Sequence, residues 1–233
     1  EDTRLSKPTT VVDSARVQAA RILNATNITN GFCIVIGADQ GQLIEALLEK
    51  SALRIIAIDN DSDRVLKLRT EFDQTGIYGE RVTFQIGTPD EFRFPPYLAS
   101  LIVCNQFGEA NAYENDEFVS GLFNSLRPYG GTAYFSLKGE QAVKLTEQIR
   151  SAKLPKAALK VNKDNIVLRR TGSLPGTTNF TGGWSKSQDK LVKAPMGVLW
   201  FDDIVVVGPD CISMIDETGD QTESWIKSDS CSL

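Results

Sequence analysis

The first chemistry this sequence offers lies where the apolar run Phe32 to Ile36 meets Gly37, Ala38, Asp39 and Gly41. Five apolar residues in a row suit a strand buried on both faces. After Gly41, the residues Leu43, Ile44, Leu47 and Leu48 recur at helical spacing. A strand, a tight glycine turn and a helix place backbone N–H groups and a helix N-terminus at one sheet edge. A phosphate or a carboxylate is favoured there. Asp39 stands where a third glycine would complete a G-x-G-x-G turn. Asp59 follows Gly37 near the roughly 20-residue offset at which an acidic side chain accepts from a ribose diol. Thr88 leaves the third predicted strand at the same edge, within reach of a base. Asn105 leaves the fourth strand, the neighbour of the first, and looks into the same crevice. Each residue also has a simpler reading: a glycine pair that only turns the chain, Asp59 as a helix N-cap, Asn105 as a turn residue.

Composition removes much other chemistry. The chain of 233 residues has no histidine, which excludes Ser-His-Asp and Cys-His nucleophilic sites, His-ligated metals and an imidazole base. No metal site is expected. The formal net charge is −5, with 25 basic and 30 acidic residues, so no broad nucleic-acid or anionic-membrane surface is expected. Arg169-Arg170 reads as a strand edge, and Asp90-Glu91 and Asp202-Asp203 read as solvated charges. No apolar run approaches the roughly 18 residues of a membrane span. Cys33 and Cys104 fall in apolar strands and read as buried thiols. Cys211 and Cys231 lie in a polar tail and could form a disulfide if the protein is exported. The chain starts at Glu1, as a removed signal peptide or an excised piece would each explain.

The elements that must position these residues follow in order. Residues 1–10 read as a polar arm. Val11 to Asn27 carries Val12, Ala15, Val17, Ala20, Ile22 and Leu23 at helical spacing and should pack on the sheet. Asn30-Gly31 reads as a turn. A helix over 42–51, a strand over 54–58 and a helix over 64–74 follow, the last entered through Asp61-Ser-Asp and faced by Val65, Leu66, Leu68 and Phe72. Strands are expected over 81–86, 101–104 and 132–137, with helices over 115–126 and 141–152. The segments 157–161 and 166–170 flank Asn162-Lys-Asp-Asn as a hairpin. Alternating strands and helices argue for an α/β domain with a parallel sheet covered on both faces. This domain spans 11–171. Gly172 to Gly183 reads as a linker, and the short β-like runs beyond it are too few for a core of their own.

Four segments together resemble a class I S-adenosylmethionine-dependent methyltransferase domain. IVIGADQGQL is similar to its first motif and IIAIDND to its second. FQIGTPDEFRFPPYLASLIVCNQFG resembles the adenine-side strand and loop, and NSLRPYGGTAYF the turn before the fifth strand. The resemblance covers roughly residues 12–171. It implies a three-layer Rossmann-like sandwich whose seven-stranded sheet has the order 3-2-1-4-5-7-6, with an antiparallel last strand. It also implies S-adenosylmethionine as cofactor, held by Gly37, Ala38, Asp39 and Gly41 at the methionine part, by Asp59 at the ribose with Asn60 next to it, and by Thr88 and Asn105 on the adenine side and in the crevice. Asp39 departs from the motif: its charge opposes the cofactor carboxylate and can pair with the amino group. The usual acidic residue beside the adenine amine is absent at Gly87-Thr88. A second resemblance concerns residues 172–233. IVVVGPDCISMIDETGDQTESW looks like one repeat of a PQQ-like β-propeller in large bacterial proteins. Two functions follow: a methyltransferase acting on an unknown acceptor, or a catalytically inactive methyltransferase-like scaffold beside a propeller of the same larger protein. The first implies a cytoplasmic location and the second an exported or periplasmic one.

Overall fold

A computed structural model describes residues 13–88, 95–105 and 116–174, all within one compact unit that ends at Pro175. The N-terminal arm, Asp90-Glu91, Gln106-Phe107-Gly108, Asp202-Asp203, Cys211, Cys231 and the propeller-like segment lie outside the described residues.

The chain order is α1 (Asp13–Thr26), β1 (Asn30–Ile36), α2 (Gln42–Lys50), β2 (Ala52–Asp59), α3 (Ser62–Gln74), β3 (Val82–Ile86), β4 (Leu101–Cys104), α4 (Asp116–Ser125), β5 (Thr132–Phe135), α5 (Gly139–Ser151), β6 (Ala157–Val161) and β7 (Ile166–Arg170). The seven-stranded sheet has the order β3-β2-β1-β4-β5-β7-β6. The strands from β3 to β5 run parallel, and β7 lies antiparallel to both β5 and β6. The expected topology is therefore the observed one.

Two apolar layers explain the unbroken strand runs. Cys33 and Val35 of β1 and Leu101 and Val103 of β4 join the layer under α1, α2 and α3. Ile34, Ile36, Ile102 and Cys104 join the layer under α4 and α5. A central strand covered on both sides needs an apolar residue at every position. Cys33 and Cys104 point to opposite layers, and both thiols are free and buried.

Several local readings change. Asn30 and Gly31 pair with Ala52 and Leu53 as the first residues of β1, so the turn assigned to them is a strand start. The ladder to β2 extends past the apolar run, because backbone pairing does not require apolar side chains. Leu66 and Val17 are exposed; the buried stripes are Val65, Leu68 and Phe72 on α3 and Ala15, Ala19, Ile22 and Leu23 on α1. Arg170 is no edge residue. It is 4% exposed, lies 4.7 Å above the Phe123 ring and donates to the Leu126 carbonyl at 2.9 Å. β7 is an inner strand, so Arg170 meets the chain end of α4 instead of water.

The Arg127-Pro-Tyr-Gly-Gly turn feeds β5 at its correct height. A Cβ on Gly131 would lie 2.5 Å from the Arg127 carbonyl oxygen and 2.6 Å from the Arg127 nitrogen. Backbone cannot retreat as a side-chain tip can. Gly131→Ala should therefore lower stability by about 2–3 kcal/mol or more, read as a reduced urea midpoint with an unchanged slope.

Candidate functional site

The site is built from the turn that follows β1. Gly37 has φ 84°, Asp39 φ 49° and Gly41 φ 76°, so three of five residues take the left-handed region. Aspartate is among the few residues that tolerate that region. Asp39 thus keeps the path a glycine would give while adding a carboxylate. Gly37 donates to the Ile58 carbonyl at 2.9 Å and Gly41 to the Ala38 carbonyl at 3.0 Å. These bonds bind the turn to the end of β2 and close it on itself. Gly41 is also the N-cap of α2 and supplies no side-chain cap. The first N–H groups of α2 are left for water or a ligand, and the helix dipole favours a negative group there.

Asp59 is the centre of the arrangement. It ends β2, and its side chain is only 3% exposed. Oδ2 accepts from the Ala38 N–H at 2.8 Å, and Oδ1 accepts from the Asp61 N–H at 3.0 Å. Arg64 Nη1 donates to both oxygens at 3.0 Å. A carboxylate has about four acceptor positions, and the protein itself fills them all. Arg64 also reaches Asp61 Oδ2 through Nη2 at 3.2 Å. Its pKa is raised, first by the hydrogen bond to Asp59, with further support from the charges of Asp59, Asp61 and Asp39. The helix N-cap is Asp61, which accepts from the Arg64 N–H at 3.0 Å. Asp59 is therefore a core acceptor that ties turn to strand, and not the cap of α3.

The remaining candidates occupy the same sheet edge to different degrees. Asn105 follows β4, and its N–H donates to the Ile36 carbonyl at 3.2 Å, directly beside the turn. Its Oδ1 accepts from Gln18 Nε2 of α1 at 2.6 Å. Thr88 is half-buried beyond β3, one residue after Gly87, whose N–H donates to the Asp59 carbonyl at 3.0 Å. Asn60 is exposed next to Asp59. Ile86, paired with Asp59 in the β2–β3 ladder, leaves 46% of its surface exposed. Sequence reasoning missed Arg64, Gln18 and Ile86. Arg64 had one signal, its place three residues after the capping Asp61; Gln18 and Ile86 had none.

Burial drives the thiols of Cys33 and Cys104 far above their ordinary pKa, which keeps them neutral and unreactive. Among the described residues, no three potential metal ligands cluster. No helix among them is long and apolar enough to cross a membrane.

No protein-family model matches the chain, and no curated protein does. Solved structures do. A Methanococcus maripaludis protein assigned as an S-adenosyl-L-methionine-dependent methyltransferase superposes with a TM-score of 0.58 at 16% identity, over 70% of this chain and 88% of its own. The fold is the Rossmann-like methyltransferase fold. The cyclase SpnF follows with a TM-score of 0.54 at 15% identity, over 69% of this chain and 63% of its own. A geranyl diphosphate methyltransferase solved with SAM gives 0.51 at 8% identity, over 63% and 66%. Identities this low carry the architecture and not the reaction. The presence of a cyclase beside methyltransferases on one fold makes the same point.

Gly41 leaves little room for a side chain. A Cβ there would stand 2.7 Å from Leu68 Cδ2 and 3.2 Å from Phe72, on a backbone at φ 76°. Strain and overpacking add, so Gly41→Ala should cost about 2–4 kcal/mol, measured as a shift in chemical denaturation.

Proposed function

We propose that the crevice at the ends of β1, β2, β3 and β4 binds S-adenosylmethionine and that the chain is a methyltransferase acting on an as yet unassigned acceptor. One observation carries the reading: the left-handed turn of Gly37, Asp39 and Gly41 is hydrogen-bonded through Ala38 to a buried carboxylate at the end of β2. The residues fit the cofactor in kind. The uncapped N-terminus of α2 suits its carboxylate, Asp39 suits its amino group, and Asp59 suits its ribose. Ile86 offers apolar surface to the adenine. When bound, the cofactor would supply an electrophilic methyl group on a sulfonium centre. Transfer of that group is an in-line displacement that asks the protein mainly for positioning, so the lack of histidine is no obstacle.

Arg64 sets a condition on this reading. A ribose diol needs two acceptor positions on Asp59, and Arg64 Nη1 occupies two. The guanidinium must yield them, and Asp61 and Asp39 are the carboxylates placed to receive it. The same observation favours the second reading, a methyltransferase-like scaffold without catalysis. There Arg64 would replace the cofactor permanently and hold the crevice as a structural ion cluster. The propeller-like sequence of the C-terminal extension supports that reading too, as the domain of a larger protein with residues 172–233 leading into a β-propeller.

Calorimetry of the full chain with S-adenosylmethionine separates the two. The methyltransferase reading expects micromolar binding, weakened at least roughly tenfold by Asp59→Ala through loss of charge-assisted hydrogen bonds. It also expects Arg64→Ala to tighten binding by roughly tenfold, since two acceptor positions become free. Absence of heat at about millimolar ligand in the wild type, in Arg64→Ala and in Asp39→Gly alike would establish the scaffold.

A further inference from the structure

The helix α1 shows two faces. Ala15, Ala19 and Ile22 are buried in the layer shared with α2 and the sheet. Ser14, Val17, Gln18 and Arg21, spaced at three and four residues, form a second face turned toward β5 and the exit of β4. Between this face and the end of β5 lies a cleft of about 430 Å³, whose far side is made by Tyr134, Lys138 and Asp164. This volume falls within the range of about 300–1,000 Å³ usual for small-molecule sites.

The charges in the cleft do not cancel. Lys138 Nζ lies 3.4 Å from Asp164 Oδ1, and that pair closes one wall. Arg21 lies on the opposite wall, and among the described residues it has no acidic partner. Its charge reaches the buried Tyr134, where it opposes the upward pKa shift caused by burial. One uncompensated guanidinium matches one negative charge, so a carboxylate suits it better than a dianionic phosphate. Val17 is 56% exposed and the nearly buried Tyr134 also lines the cleft, so an apolar body fits beside that charge. Ser14 offers a hydroxyl at the rim.

We propose that this cleft is a second binding site, for a small molecule that joins a single carboxylate to an apolar body, with the carboxylate on Arg21 and the body on Val17. The cleft communicates with the crevice. Gln18 lines it and donates at 2.6 Å to Asn105 at the exit of β4. An occupant that moves Gln18 therefore moves a residue of the crevice. The ligand class follows from the lining alone. That this ligand is the methyl acceptor rests on the cofactor reading given above.

Sodium benzoate is the probe, with benzyl alcohol and benzylamine as neutral and cationic shapes of similar size. Each is titrated into the isotope-labelled full chain while amide resonances are followed. The expected result is saturable shifts at Gln18, Arg21 and Lys138, with benzoate bound at least roughly tenfold more tightly than benzyl alcohol. Arg21→Gln should erase that preference and leave the spectrum elsewhere unchanged, since the side chain is exposed. Equal binding of the three probes, a benzoate preference that survives Arg21→Gln, or absence of saturable shifts would each overturn the site. Benzoate binding in a chain that takes no S-adenosylmethionine would keep the site and remove its role as acceptor pocket.

Discussion

The carboxylate of Asp59 is the constraint on which the crevice depends. It is nearly buried at the end of β2, and a charge there is tolerable only if its acceptor positions are filled. The filling comes from three places in the chain: the N–H of Ala38 in the turn after β1, the N–H of Asp61 at the head of α3, and the guanidinium of Arg64 one turn into that helix. Satisfying one charge therefore fixes the turn, the strand end and the helix start relative to one another. The exposed edge of the sheet becomes a shaped crevice instead of three independent loops. Replacing Asp59 by a shorter side chain would strand two backbone donors and a cation together.

This constraint gives Arg64 a meaning that the fold alone does not supply. Structural relatives with the same sheet include S-adenosylmethionine-dependent methyltransferases and a cyclase, so the architecture permits more than one use. The carboxylate that suits a ribose is the same carboxylate that Arg64 engages. A ligand gains only what exceeds the bonds that it displaces. On the proposed reading, affinity in this crevice would be a difference between two sets of charge-assisted hydrogen bonds. Asp39 and Asp61 lower the cost of moving the guanidinium because they keep it beside negative charge.

A comparable arrangement holds the other end of the sheet. Arg170 inserts between β7 and α4, over the rings of Phe123 and Tyr97, and donates to the carbonyl that ends α4. Burial lowers its pKa, and Tyr97 opposes that shift. A cation at a helix C-terminus is favoured by the dipole, which offsets part of its desolvation. The antiparallel strand β7 is thereby locked to the parallel part of the sheet. The entry of β5, which pairs beside Arg170, keeps its position.

Much of the fold was legible because its causes are local. Unbroken apolar runs identify strands buried on both faces; the glycine spacing after Ile36 marks the turn; Asp61 announces the start of α3. The four residues Gly37, Ala38, Asp59 and Asn105 come together as the alternation of strands and helices requires. Tertiary structure alone decided the partners. Arg64 is an ordinary helix residue in the sequence and becomes the cation on Asp59 only when α3 folds back along β2. Arg170 reads as an edge residue until β6 covers its strand. Val17 belongs to the apolar stripe by composition, yet the packed side of α1 is set by where α2 lies. A one-dimensional pattern carries the period of an element. Which of its faces meets another element, and which charge ends beside which, depends on how the elements pack in three dimensions.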